Sequence, residues 1–234
     1  MESYRTMEIS YEPMSASALL LRFGQRMDAT VNAAVHAAAA RIRAASHLAI
    51  RELVPAYASL LVRWHMPAAG FQAPPRHAWW EAQLRELLRD LDRQAEPSAT
   101  PRTHRIQVNY GGEVGADLEQ VARHANLSVD EVIARHTAPE YQVAMIGFAP
   151  GFAYLLGLDE ALHTPRREAP RTRVPAGAVA IGGAQTGVYP SELPGGWQLI
   201  GHTDTRLFDP ADSERPCLLA PGDRVRFVAK EGGA

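Results

Sequence analysis

Residues 141–148 read YQVAMIGF, the first of four short apolar segments in the second half of the chain. The others are AVAIGG at 178–183, WQLIG at 197–201 and RVRFV at 224–228. Clusters of glycine and proline separate these segments, and both residues favour the tight turns that join strands. Many short strands divided by such turns are typical of a sheet that closes on itself. We therefore predict a mainly β, closed or nearly closed barrel.

The strand that should open this barrel lies upstream, at residues 104–110. It reads HRIQVNY, and its alternating pattern is that of a half-buried strand running into Gly111 and Gly112. Two short helices should follow, one at about residues 117–124 and one beginning at Ser128. Ser128 and Glu131 have the spacing of a capping box, in which the serine caps the helix and the glutamate returns a hydrogen bond.

The first part of the chain has a different pattern. A buried strand is predicted at residues 18–23, and Asp28 is placed to cap a helix that runs to about Ser46. A second strand is predicted at about 59–64. A second helix is indicated by a stripe of apolar residues at helical spacing, Trp80, Leu84, Leu87, Leu88 and Leu91.

The order β, α, β, α in this first part predicts a small α+β sandwich. Residues 93–103 read RQAEPSATPRT, a polar stretch with two prolines, which is typical of a domain boundary. We therefore predict an α+β domain at residues 1–95, a linker at 96–103 and the barrel domain at 104–234.

Composition excludes several classes of function. The 234 residues carry a formal net charge of -2, so there is no basic field to attract nucleic acid. Lys230 is the single lysine, and a P-loop needs a lysine directly after its glycines. Cys217 is the single cysteine, and we expect it to be buried and inert in a strand. With no signal-peptide pattern at the start and no long apolar run, we expect a cytoplasmic protein without a membrane anchor.

The loops of the predicted barrel hold a group of side chains able to bind an anion. Arginine forks match the oxygens of carboxylates and phosphates, and neutral hydrogen-bonding residues accompany them. In a strand, Arg171 and Arg173 would point the same way, which favours a shared site. The alternative is a solvated basic loop among ordinary turn glycines. The candidate residues are Arg166, Arg167, Arg171, Arg173, Gln185, Thr186 and Tyr189.

Candidate acid–base groups lie nearby in the sequence. Glu113 and Asp117 flank Gly115 just after the first barrel strand, and His136 follows a predicted helix. Taken alone, a histidine is more often a capping or core residue. No motif for a serine nucleophile, a metal site or a dinucleotide is present, so we predict no metal site. The chain lacks a self-sufficient catalytic set.

Four motifs resemble one protein family closely, and LVPAYASLLVRW at residues 53–64 extends the resemblance to the first domain. They are YGGEVGADL at 110–118, HTAPEYQVAMIGFAPGFAYLLGL at 136–158, TPRREAPRTRVPAGAVAIGGAQTGVYP at 164–190 and PGGWQLIG at 194–201. On these motifs the chain is identified as a member of the 5-oxoprolinase B-subunit family, which also carries the names allophanate hydrolase subunit 1 and sporulation-kinase inhibitor.

The resemblance implies a small α+β domain followed by a cyclophilin-like barrel. It implies partnership with two other 5-oxoprolinase subunits, a homologous C-type barrel subunit plus an A-type subunit of another fold. ATP would be the co-substrate that drives opening of 5-oxoproline to glutamate. A fused relative of the B-type and C-type subunits forms the carboxyltransferase part of urea carboxylase. Two other functions therefore stay open, namely regulation of a sensor histidine kinase and a role in urea or allophanate metabolism.

Within that resemblance we can assign hypothetical roles. Arg171 and Arg173 would hold the substrate carboxylate or a phosphate, and Glu113 or His136 would move a proton. Gln185, Thr186 and the backbone amides near residues 182–183 would stabilise developing negative charge.

Overall fold

The computed structural model describes residues 8–66, 76–91 and 101–230. The chain divides into two compact units, residues 1–100 and 101–234. The predicted linker at 96–103 lies mostly outside the described residues, and the first strand of the second unit begins at Thr103.

The described residues of the first unit form a four-stranded antiparallel sheet and two α-helices. Its elements are β1 (Ser10–Ser15), β2 (Ala18–Arg22), α1 (Ala29–Ala44), β3 (Ile50–Pro55), β4 (Ser59–Trp64) and α2 (His77–Leu87). The strand order in the sheet is β1-β2-β4-β3. Helix α1 begins directly after Asp28, whose carboxylate accepts hydrogen bonds from the backbone N–H groups of Thr30 (2.7 Å) and Val31 (3.2 Å). This is the predicted cap.

The predicted order β, α, β, α was incomplete, because β1 and β3 were missed. Both are the outer strands of the sheet, and most of their residues are at least partly exposed. An edge strand with little buried surface has no need of apolar alternation, so it leaves a weak pattern. The central strands and helices carry the core, in which Trp80 of α2 stacks on Trp64 of β4 at 4.5 Å between ring centroids.

The second unit is built on a closed barrel of seven strands, so the predicted barrel is confirmed. The barrel strands are β5 (Thr103–Tyr110), β6 (Tyr141–Ile146), β7 (Ala153–Leu156), β9 (Ala178–Gly182), β10 (Gln185–Val188), β12 (Gln198–His202) and β13 (Arg224–Ala229). Their order around the barrel is β10-β7-β6-β13-β5-β12-β9. Strand β13 runs parallel to β5 and closes the gap between β5 and β6.

The described residues of this unit also form two α-helices, a short 3-10 helix (Glu160–Leu162) and a two-stranded ribbon. Helix α3 (Leu118–Ala125) packs on β12 and α4 (Val129–Thr137) on β13. Ser128 and Glu131 form the predicted capping box at the start of α4. The ribbon pairs β8 (Arg171–Val174) with β11 (Leu193–Gly195). Cys217 is only half-buried, at an isolated bridge to Phe208, so the expectation of a buried strand position was wrong.

Strand β9 is buried on both faces, and this divides the core of the second unit. Val179 and Ile181 belong to the larger cluster, with α3, α4 and most barrel strands. Ala178 and Ala180 belong to a smaller cluster that contains several aromatic rings. The ribbon contributes Val174 to that second cluster, so it covers barrel surface that would otherwise be exposed.

Candidate functional site

The turn after β5 is pressed against β12. The N–H of Gly111 donates to the carbonyl of Ile200 (3.1 Å), and a Cβ at Gly115 would lie 2.4 Å from the same carbonyl oxygen. Only glycine fits at position 115, because that distance is far inside van der Waals contact. The close approach fixes the position of Asp117, which ends the turn.

Asp117 is the centre of a charged cluster. Its side chain is 5% exposed, and its Oδ1 accepts hydrogen bonds from Nη1 of Arg167 (3.1 Å) and Nη2 of Arg171 (2.9 Å). Its Oδ2 accepts from the backbone N–H of Leu199 (2.7 Å). One carboxylate facing two guanidinium groups leaves a net positive charge. Such a cluster attracts an anion while the carboxylate holds the arginines in place.

The two arginines come from a segment that is tied to the start of β12. Arg171 lies opposite Gly195 in the β8–β11 ribbon, and the N–H of Arg167 donates to the carbonyl of Gly196 (2.7 Å). Gln198 donates from Nε2 to the carbonyl of Pro165 (2.8 Å). The loop carrying the arginines is therefore anchored at several points.

Three buried polar atoms around this segment have no hydrogen-bond partner in the part of the chain that the structure describes. They are Nε of Arg167, Nη1 of Arg171 and Oε1 of Gln198. Buried polar groups in folded proteins are nearly always paired, and each exception calls for a physical reason. This cluster thus has the net positive charge and unpaired N–H donors of a candidate anion-binding site.

Arg173 does not join this cluster. Its side chain is 80% exposed, and its Nε lies 3.5 Å from a carboxylate oxygen of Glu192. Arg171 and Arg173 share a strand face, but each long side chain reaches a different carboxylate. The predicted common contact of the two arginines is not formed within the described residues.

His136 is fully buried in the barrel core, in contact with residues from four strands, β5, β6, β10 and β13. Thr186 of β10 donates its hydroxyl hydrogen to the carbonyl of Ala180 (3.0 Å), so it accepts the hydrogen bond from Nε2 of His136 (2.9 Å). Nδ1 of His136 then accepts from the hydroxyl of Tyr110 (2.7 Å). The ring also stacks on Phe227, at 4.7 Å between centroids.

Burial lowers the pKa of His136 to about 3, because the charged imidazolium would lose its hydration. Burial also raises the pKa of Tyr110, its neighbour in the network. Both hydrogen bonds of the neutral ring are satisfied, and no surface of the residue reaches solvent. The geometry therefore favours a structural role for His136 and Thr186, rather than the predicted proton transfer and charge stabilisation.

Glu113 lies on the exposed side of the turn that ends at Asp117. The neighbouring Gly112 has a φ of 57°, and a Cβ at that position would meet nothing within 4 Å. Of the two predicted acid–base residues, Glu113 is thus the one that a substrate can reach.

Tyr189 belongs to a group of rings that we call the aromatic patch, defined by Phe148, Phe152, Tyr154, Tyr189 and Trp197, and Arg166 adjoins it. Phe152 is buried at the centre of the patch. The centroid of its ring lies 5.4 Å from that of Phe148, 4.9 Å from Tyr154, 5.3 Å from Tyr189 and 5.5 Å from Trp197. The exposed guanidinium of Arg166 lies 5.9 Å from the centroid of Trp197, within cation–π range.

Gln185 lies at the edge of this arrangement and is 8% exposed. It pairs with Gly182, where a Cβ would lie 2.5 Å from the Trp197 ring. The predicted site residues thus lie in different places. Tyr189 belongs to the aromatic patch, with Arg166 beside it and Gln185 at its edge. Arg167 and Arg171 belong to the Asp117 cluster, His136 and Thr186 to the barrel core, and Glu113 and Arg173 to the exposed surface.

Comparison with known proteins places the chain in one family. Residues 9–219 match the carboxyltransferase domain, subdomain C and D. The chain belongs to this family. A protein of Bacillus subtilis that is named as the B-type subunit of 5-oxoprolinase is 42% identical over 95% of the chain and 93% of its own length. That likeness confirms the resemblance found from the motifs.

Solved structures of similar proteins share the fold. The chain named TTHA0988 is 38% identical and superimposes with a TM-score of 0.72, covering 92% of this chain but 40% of that longer one. The K. lactis urea amidolyase superimposes with a TM-score of 0.71 at 17% identity, over 95% of this chain and 15% of that one. The second likeness shows the fold alone.

Two kinds of feature are absent from the described residues. No group of three or more histidine, cysteine, aspartate or glutamate side chains among them is arranged to hold a metal ion. None of the described helices combines the length and apolar character needed to cross a bilayer.

Proposed function

We propose that this protein is the B-type subunit of an ATP-dependent 5-oxoprolinase. The enzyme would open 5-oxo-L-proline to L-glutamate with the help of a homologous C-type barrel subunit plus an A-type subunit. The observation that carries this proposal is the identity of 42% over nearly the whole length of a protein of that name. The anchored arginine cluster supports it, because the substrate carries a carboxylate.

The chemistry explains why ATP is needed. Resonance in the lactam amide makes its carbonyl carbon a poor electrophile. Transfer of the γ-phosphoryl group to the lactam oxygen, with release of ADP, places a good leaving group on that carbon. Water then adds to that carbon, and cleavage of the C–N bond with protonation of nitrogen gives γ-glutamyl phosphate. A second water hydrolyses this acyl phosphate to glutamate and phosphate. The protein must hold the substrate carboxylate and stabilise the charge on the transferred group.

Arg171 is our assignment for the group that holds the substrate carboxylate. Asp117 fixes its Nη2, while its Nη1 has no partner among the described residues. A preformed charged donor binds an anion with little further loss of side-chain entropy. Glu113 is assigned to proton transfer, since it is exposed in the turn that carries Asp117.

The remaining groups of the site are proposed to come from the C-type subunit. Glu113 and Arg173 are exposed on the surface of the isolated chain. A second barrel facing them would exclude water and complete the site, as in other sites formed between homologous units. The similar solved structures include a longer chain, of which this one covers 40%, and this supports a larger assembly.

A urea-type carboxyl transfer is the second candidate, and the observation in its favour is the shared fold with urea amidolyase. The sequence identity of 17% makes it the weaker one.

The test is glutamate release and ATP hydrolysis by the chain alone, by the chain with its C-type partner, and by all three subunits. Activity should require the full mixture. Arg171→Gln should lower it strongly through KM for 5-oxoproline, because the substrate carboxylate loses its charged partner. Arg123→Gln, on the exposed face of α3, is the matched control and should leave it unchanged. An assembled complex that ignores 5-oxoproline would refute the proposal and favour urea chemistry.

A further inference from the structure

Phe148 adopts a backbone conformation that few residues other than glycine adopt. Its φ is 69°, and the N–H of Ala149 donates to the carbonyl of Gly147 at 2.8 Å. A hydrogen bond from residue i+2 to residue i around a central residue of positive φ is the γ-turn that is rare and strained. Strain of this kind persists only where the surroundings enforce it, and it concentrates at functional sites.

The surrounding loop enforces this conformation. The N–H of Gly147 donates to the carbonyl of Phe152 (3.1 Å), and the N–H of Phe152 donates to that of Ala149 (3.0 Å). A Cβ at Gly151 would lie 2.7 Å from Cβ of Phe208, so the far side of the loop is packed against the chain. The loop therefore presents Phe148 in one fixed orientation.

The result is an aromatic ring held out into solvent. Phe148 is 60% exposed, the largest value among the exposed large apolar side chains that the structure describes. Its edge contacts are with buried rings, Phe152 at 5.4 Å and Tyr189 at 6.5 Å. The buried rings fix the base of the aromatic patch and leave the outer surface of Phe148 uncovered.

A cation borders the same aromatic patch. Arg166 is exposed near Trp197, and it has no carboxylate partner within the described ranges. It is close enough to Tyr189 to lower that residue's pKa, although burial has the larger, opposite effect. Tyr189 thus neighbours both Phe148 and Arg166. A ligand that contacts both of them must therefore carry a ring and an anion joined by a spacer.

We propose that the aromatic patch binds a nucleoside triphosphate, with its base stacked on Phe148 and its phosphates on Arg166. The ribose supplies the spacer across Tyr189. A base stacks on an aromatic side chain through its π-face, and arginine binds phosphate oxygens in pairs. The inference rests on the proposed function in one respect, because that function identifies the nucleotide as ATP.

Calorimetric titration of the full chain and of the reconstituted complex tests the proposal with three probes, namely ATP, adenosine and inorganic triphosphate. Phe148→Leu keeps an apolar side chain but removes the ring. It should weaken ATP binding about tenfold, abolish adenosine binding and leave the affinity for triphosphate unchanged. Arg166→Gln should weaken the binding of ATP and of triphosphate but leave adenosine binding unchanged. Trp79→Leu removes an exposed ring of the first unit and should change none of the three.

Two results would overturn the inference: no ATP binding by either preparation, or ATP affinity that is unchanged in Phe148→Leu. Circular dichroism of each variant shows whether it is folded. The proposed function can fail separately. ATP binding that depends on Phe148, in a complex without 5-oxoproline-dependent hydrolysis, would refute the function and leave the nucleotide site standing. 5-Oxoproline-dependent hydrolysis that Phe148→Leu does not change, together with unchanged ATP affinity, would refute the nucleotide site and leave the proposed function standing.

Discussion

The strain at Phe148 can be measured by comparing two variants that both remove the ring. Phe148→Ala keeps a Cβ at a φ of 69°, whereas Phe148→Gly removes it. The positive-φ conformation costs a residue with a Cβ roughly 1–2 kcal/mol. Glycine loses about 0.5–1 kcal/mol more backbone entropy on folding. The difference predicts that Phe148→Gly is the more stable variant by about 0.5–1 kcal/mol, since the lost ring contacts are the same in both.

For a chain of this size, that difference corresponds to about 1–4 °C in the melting temperature. Scanning calorimetry or urea unfolding would measure it. Gln120 on the exposed surface of α3 provides the matched pair, because alanine there should be more stable than glycine by about 1 kcal/mol. Glycine should therefore be the more stable variant at position 148, and alanine the more stable variant at position 120. If Phe148→Ala is as stable as Phe148→Gly, or more stable, the assignment of backbone strain is refuted. The exposed ring would then have no rigid support.

Three further outcomes follow from the same structure. Asp117→Asn should lower the free energy of unfolding in urea by about 2 kcal/mol, because two arginines lose the charge that holds them; an unchanged value would show that the cluster is not coupled to stability. The lowered pKa of His136, about 3 against about 6.5 when unfolded, means that the unfolded chain binds the extra proton between these values. The free energy of unfolding should therefore rise with pH across that window by about 1.4 kcal/mol per pH unit and level off above about pH 6.5. This pH dependence should disappear in His136→Gln and remain in the exposed His124→Gln. Gly115→Ala should cost about 1–3 kcal/mol because its Cβ would lie 2.4 Å from the carbonyl oxygen of Ile200, whereas Gly196→Ala, with its nearest contact at 3.6 Å, should cost far less in the same denaturation assay.

The features that could be predicted from the sequence are those with a local cause. Asp28 and Ser128 cap helices through hydrogen bonds to residues two or three positions away, so the motif contains both partners. Five of the barrel strands, β5, β6, β9, β12 and β13, are apolar enough to be recognised one by one, whereas the four-residue strands β7 and β10 were not predicted. The edge strands β1 and β3 were missed because their neighbours in the sheet, rather than their own pattern, hold them in place.

The site was predicted less well, since its contacts join residues far apart in the sequence. Arg171 was expected to bind an anion, but its partner Asp117 lies 54 positions away and gave no signal of that pairing. Gly147 and Phe148 end the apolar segment 141–148 that was predicted as a barrel strand, but the strand stops at Ile146. A phenylalanine between glycine and alanine carries no mark of positive φ, so the strain is visible only in the folded chain.

His136 shows most clearly how closure of the barrel changes the meaning of a residue. In the sequence it is a histidine at the end of a helix, where the helix dipole would favour the charged form. In the fold, Tyr110 and Thr186 come from strands 26 and 50 residues away and meet the two ring nitrogens. A ring satisfied on both sides and removed from water stays neutral, so its proton is not available to a substrate. The proposed reaction needs a proton from a group that solvent reaches, and this is the physical reason for assigning that role to Glu113.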